Sequence, residues 1–172
     1  MSRERVRQTA PLSIQEKIEQ AHNLFETCGD SLKQDPSLRT LLNKLQECIE
    51  NTKNMMLKLG VVSECKLCEE QEGGSCCGTG IENKYDVELL LLNLLLEASL
   101  QDQQFSQNSC YFLGENGCKL TARHVLCVNY ICDKLQRKLT REELIELQTC
   151  AGEELDTLFF LHEAIKKHIR TH

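Results

Sequence analysis

The stretch VELLLLNLLLEASL, residues 87–100, is the most apolar run in the chain, and its reading decides the fold. A membrane-spanning helix needs roughly 20 predominantly apolar residues. This run is shorter and is interrupted by Glu88, Asn93 and Glu97. Its apolar volume is leucine, a strong helix former, with none of the β-branched and aromatic enrichment of a strand. Asp86 stands in front as a helix cap. The run therefore predicts a buried helix over about residues 86–104, and with it an all-α fold.

Working toward the N-terminus, a loop precedes this helix and a helical hairpin precedes the loop. Ser13 and Glu16 form a capping box, and Ile14, Ile18, Ala21, Phe25 and Cys28 recur on one helical face until Gly29, where the first helix is expected to stop. Asp35-Pro36 starts a second helix with Asp35 as cap and Pro36 in the first turn. Its apolar positions run from Leu38, Leu41, Leu42 and Leu45 through Cys48 and Ile49 to Met55, Met56 and Leu59, with Gly60 as its end. Toward the C-terminus, helix resumes near residue 133, breaks near 139–140 at the capping box Thr140/Glu143, and continues with an inward stripe of Leu144, Leu147, Ala151, Leu155, Leu158, His162, Ile165 and Ile169. The expected organisation is a disordered leader (1–12), a hairpin (13–62), a cysteine-rich region with an inserted helix (63–133) and C-terminal helices (134–172), all in one domain.

The chain has 172 residues, a net charge of −6, 5% aromatic residues and no tryptophan. An acidic balance argues against a general nucleic-acid binder, which needs a basic face, and against attraction to anionic lipid. The polar, charged start has no apolar core of a secretory signal, so a cytoplasmic location is expected. Eleven cysteines are the outlying number. In a reducing compartment dense cysteine means metal ligation or redox chemistry, and an odd count sits badly with a closed disulfide framework.

Eight of the eleven fall in two groups of four. The first is Cys65, Cys68, Cys76 and Cys77, within a glycine-containing segment (63–80) read as a loop. The second is Cys110, Cys118, Cys127 and Cys132, on a loop from Ser106 to about Tyr130. A C-x-x-C pair is a metal knuckle: both sulfurs turn toward one ion while nearby backbone N–H groups donate to them. Adjacent residues such as Cys76 and Cys77 seldom both ligate one tetrahedral ion, so one of them serves a second metal, bridges or stays free. Cys127 and Cys132, five apart, sit about 140° apart around a helix; both can bind only if the chain between them is irregular. Cys28, Cys48 and Cys150 lie on apolar helical faces and read as core thiols. His124 reads as an exposed or outer group, His162 as a satisfied core histidine, and Arg123 as the cation best placed to offset thiolate charge.

The order C-x-x-C … C-C, C-x-F-L-x-x-x-G-C, C-x-x-Y-x-C resembles the CxxCxxxCC (YkgJ-like) family of zinc- or iron-chelating domains. The matched residues are Cys65, Cys68, Cys76, Cys77, Cys110, Phe112, Leu113, Gly117, Cys118, Cys127, Tyr130 and Cys132, with Arg123 before the seventh cysteine. The chain departs from the pattern in a seven-residue gap from Cys68 to Cys76, in His124 where proline is usual, in the absence of a proline before Cys132, and in a shorter Cys118–Cys127 spacing. The resemblance implies a metal-binding protein holding zinc or iron through these eight thiolates as a non-catalytic or regulatory module. Two other classes remain open: an iron–sulfur electron carrier or redox sensor with a [4Fe–4S] cluster, and a component related to flagellin lysine N-methylases. The expected partners are the metal ion and a protein, or a second copy docked through the leucine-rich helix; neither nucleic acid nor membrane is expected.

Overall fold

The computed structural model describes residues 11–71 and 76–171. The expected leader falls almost wholly outside them. The elements are α1 (Ile14–Gln34), α2 (Pro36–Lys58), α3 (Val61–Gln71), a 3-10 turn (Ile81–Lys84), α4 (Val87–Leu95), a minimal hairpin of β1 (Leu113–Gly114) and β2 (Gly117–Cys118), α5 (Val125–Asn129), α6 (Asp133–Lys138) and α7 (Arg141–Thr171). The protein is mostly helical. None of these helices is long and apolar enough to cross a membrane.

The helix starts follow their caps. The Ser13 hydroxyl accepts from the Glu16 amide at 3.3 Å while the Glu16 carboxylate accepts from the Ser13 amide at 2.7 Å. Thr140 and Glu143 repeat the exchange at 3.2 and 2.8 Å before α7. Asp35 accepts from the amides of Ser37 and Leu38, with Pro36 at the first helical position, and Asp86 accepts from the Leu89 amide.

Four elements differ from the sequence expectation, one of them α5, a five-residue helix inside the expected second loop. α1 does not stop at Gly29 but runs to Gln34. A mid-helix glycine costs only about 1 kcal/mol, and the extra turn buries Leu32 completely. What ends α1 is Asp35, held extended at φ −64°, ψ 119° by the proline that follows it. Residues 61–71 are not a loop but α3, entered through Gly60 at φ 71°. α4 ends at Leu95, not near 104, because Glu97 turns left-handed at φ 61° and the Ala98 amide bonds back to the Asn93 carbonyl at 2.9 Å.

α7, about 46 Å long at 1.5 Å per residue, packs along α2, and α1 packs along α4. A large core joins α1, α2, α4 and the second half of α7, and takes in Tyr85, Cys110, Tyr111 and Phe112. A second, smaller core forms where α2 meets α3, α6 and the start of α7: Leu59, Val61, Leu135, Leu139 and Leu147. Every leucine of α4 from Leu89 to Leu95 is buried within the chain, so this helix presents no leucine seam to a second copy.

Candidate metal centre

The clustered cysteines border both cores, and four of them line one pocket. Cys65 and Cys68 share one face of α3, three residues apart. Cys76 and Cys77 lie on the chain that returns toward the 3-10 turn. Cys110 precedes the hairpin, Cys118 ends β2, Cys127 is on α5, and Cys132 caps α6. The expected break between Cys127 and Cys132 is present: α5 ends at Asn129, and Tyr130 and Cys132 are extended. Cys127 itself is helical, however. None of the eleven cysteines forms a disulfide.

Their grouping differs from the order along the chain. A pocket of about 120 Å³ is lined by Cys65, Cys68 and Cys76 together with Cys132, and by Glu64, Tyr130 and Lys134. The backbone of Cys77 is tied to the second loop, although its thiol also lies within reach of Cys65 and Cys76. The Cys110 amide donates to the Cys77 carbonyl at 2.7 Å, and the next residue, Gly78, forms a bridge with Ser109. Cys77 and Cys110 pack on the large core, Cys65 and Cys132 on the small one. Cys127 and Cys77 lie within electrostatic reach of Cys118, and Cys118 and Cys127 within reach of Cys110.

Burial raises several of these thiols. It pushes Cys65 up, with Cys77, Cys132 and Cys68 adding to the effect, and it raises Cys110 from 9.0 to about 12. Cys76 is raised first by its hydrogen bond with the Cys77 thiol and then by burial. Arg123 opposes ionic repulsion here: it acts on Cys65, Cys118 and Cys127. One of its terminal nitrogens contacts the Met56 sulfur at 3.8 Å, while its buried Nε has no hydrogen-bond partner. Lys134, on α6, reaches the Cys68 sulfur at 3.6 Å. It also bridges to Glu64 at 3.4 Å, and Lys138 pairs with the same carboxylate.

Several residues that position the site carry no motif. Tyr85, nearly fully buried, accepts from the His124 amide at 3.0 Å and directs its hydroxyl to the Cys127 sulfur at 3.9 Å. Its ring meets Phe112 edge-on at 5.2 Å between centroids. Asn93 holds the segment leading into Arg123: its amide donates to the Ala122 carbonyl at 2.9 Å, and its oxygen accepts from the Thr121 and Ala122 amides at 2.9 and 3.0 Å. Glu82 accepts from the Gly80 amide at 2.9 Å beside Cys110. Gly117 takes φ 105°, the value the β1–β2 turn requires.

The remaining candidates fall elsewhere. The His124 Nδ1 accepts from the Leu126 amide at 3.2 Å and so caps α5. Cys28 donates to the Leu24 carbonyl at 3.0 Å, Cys48 is buried 3.8 Å from the Thr157 hydroxyl, and Cys150 is half-buried on α7. His162 pairs with Asp86 at 2.9 Å and fastens α7 to the start of α4. Among the described residues, Asp86, Glu88 and His162 are the one trio with ligand atoms within 4.8 Å of one another, so the thiols converge more loosely than that. The trio is committed to structure: Lys166 also reaches Asp86 at 3.3 Å. Although burial pushes the Asp86 carboxyl up, His162, the Leu89 amide and Lys166 hold it down at about 2.

A scan against models of known protein families, a search of curated proteins and a search of solved structures each found no match.

Proposed function

We propose that the protein is a metal-binding module that holds zinc or iron through cysteine thiolates, and that its role is non-catalytic. The observation that supports this best is the pocket lined by Cys65, Cys68, Cys76 and Cys132, with Cys77, Cys110, Cys118 and Cys127 within electrostatic reach of one another and Arg123 acting on thiols of both sets. Soft thiolates select zinc, copper(I) and iron–sulfur centres over hard cations. The donor set therefore fits zinc or iron. Cys65, Cys68, Cys76, Cys77, Cys110, Cys118, Cys127 and Cys132 would hold the metal, and Arg123 and Lys134 would offset the negative charge of the thiolates. When bound, the metal would cross-link short elements that have little core of their own, since α3, α5 and α6 span only 11, 5 and 6 residues.

Elemental analysis of the purified chain tests it. The expected result is about two zinc ions per chain in a colourless protein, as four-coordinate thiolate sites require, or iron in a brown one. Removal by a chelator should lower thermal stability. A protein that carries no metal, and whose melting is untouched by chelators, overturns the proposal.

A further inference from the structure

We infer that the eight thiols divide across the two loops rather than loop by loop: Cys65, Cys68, Cys76 and Cys132 serve one ion, and Cys77, Cys110, Cys118 and Cys127 serve a second. This rests on the metal-binding reading above and specifies how its ligands are wired.

Three observations carry it. The pocket that takes Cys65, Cys68 and Cys76 from the first group takes Cys132 as its fourth thiol, and neither Cys77 nor Cys110 lines it. The apolar surroundings sort the same way, with Cys65 and Cys132 on the small core and Cys77 and Cys110 on the large one. The backbone bond from the Cys110 amide to the Cys77 carbonyl, reinforced by the Gly78–Ser109 bridge, fixes Cys77 against the second loop. Two adjacent cysteines seldom ligate one tetrahedral ion without strain, so dividing the vicinal pair between two ions avoids that cost. The division also balances: each ion receives four thiolates and no cysteine is left over.

The two centres lie side by side, since the Cys76 and Cys77 thiols are themselves hydrogen-bonded. Four thiolates around a divalent ion carry a charge of about −2, so adjacent centres repel unless a cation intervenes. Arg123 answers this demand, acting on Cys65 of the first group and on Cys118 and Cys127 of the second, with a buried Nε that no hydrogen bond claims.

Cadmium-113 as the sole added metal, bound to the reduced full-length chain, reads the wiring by NMR. Two resonances are expected. Cys76→Ser and Cys132→Ser should abolish or shift one, and Cys77→Ser and Cys110→Ser the other. Because a serine variant can fail to fold, cadmium-edited proton correlations in the unsubstituted protein give an independent answer, linking each cysteine's β-protons to one ion. The inference is overturned if Cys132 and Cys110 report to the same ion, if Cys76 and Cys77 do, or if a cadmium–cadmium coupling reveals a shared sulfur. Failure of the unsubstituted chain to bind any cadmium would instead reject the metal-binding reading itself.

Discussion

The side chain of Asn93 satisfies both backbone polar groups of Ala122, donating to its carbonyl and accepting from its amide, across 29 positions of sequence and with both residues fully buried. A single amide in the middle of the leucine helix thereby sets the position of the chain immediately before Arg123. Replacing it with leucine suits the helix and ruins the clamp. The Thr121 and Ala122 amides and the Ala122 carbonyl would all lose their partner, at about 1–3 kcal/mol for each buried group left unsatisfied. Asn93→Leu should therefore cost about 3 kcal/mol or more, measured by urea unfolding.

Glu97 offers the opposite case. It is exposed and held at φ 61°, where a side chain is strained and glycine is not. Glu97→Gly should raise stability by about 1 kcal/mol, read as a higher melting temperature. A decrease would mean that the Glu97 side chain makes a contribution the backbone strain does not reveal.

Glu154 is fully buried on α7, and neither carboxylate oxygen has a hydrogen-bond partner; the neighbouring Thr52 hydroxyl is spent on the Cys48 carbonyl at 3.0 Å. Burial raises its pKa against the pull of Thr52, Arg123 and Lys53. A carboxyl raised in the folded state stabilises below its unfolded value of 4.5 and loses that contribution as pH climbs through the folded one. Glu154→Gln should accordingly gain about 1 kcal/mol at neutral pH, and a comparison of melting temperatures at pH 4 and pH 7 should show the gain shrinking in acid.

The thiols give the metal-free, reduced protein an alkaline limit. Cys110, raised by burial from 9.0 to about 12, contributes stability that is whole below pH 9 and drains away as pH rises toward 12, because the unfolded chain ionises first. The urea midpoint of the metal-free protein should fall across that window. Cys110→Ala should flatten the decline, and an unchanged slope in that variant would assign the decline to other groups.

Metal content should separate the cysteines by position. Cys65→Ser and Cys118→Ser should each lower the metal bound per chain, whereas Cys28→Ser and Cys150→Ser should leave it unchanged. Equal losses in all four variants would reject the assignment of the ligands.

Helix starts were the most legible part of the chain. Ser13 with Glu16, Asp35 with Pro36, Asp86, and Thr140 with Glu143 are local devices whose partners lie within a few residues, and each caps a helix as its pattern suggests. Ends were less legible, because they depend on what the last turn buries: Leu32 carries α1 past Gly29, and the turn at Glu97 cuts α4 short. α3 is masked in the sequence by the ligand chemistry of its cysteines. Counted as small apolar side chains, Val61, Cys65 and Cys68 recur at helical spacing, the same stripe that reveals Cys48 in α2. At the site, the cysteines and Arg123 could be singled out from spacing. Glu82, Tyr85, Asn93 and Glu154 could not, since a buried polar residue is intelligible only once the distant group it faces is known.

The pocket lined by Cys65, Cys68, Cys76 and Cys132 has a further consequence for the order of assembly. Its first three cysteines precede every residue of the second loop and its fourth follows them, so on the inferred division one set of thiols would enclose the other along the chain, like an outer pair of brackets around an inner one. A ribosome delivers the inner set, through Cys127, before the outer set can close at Cys132. No fragment cut between residues 77 and 127 keeps either set whole, and proteolysis there is expected to dismantle both together.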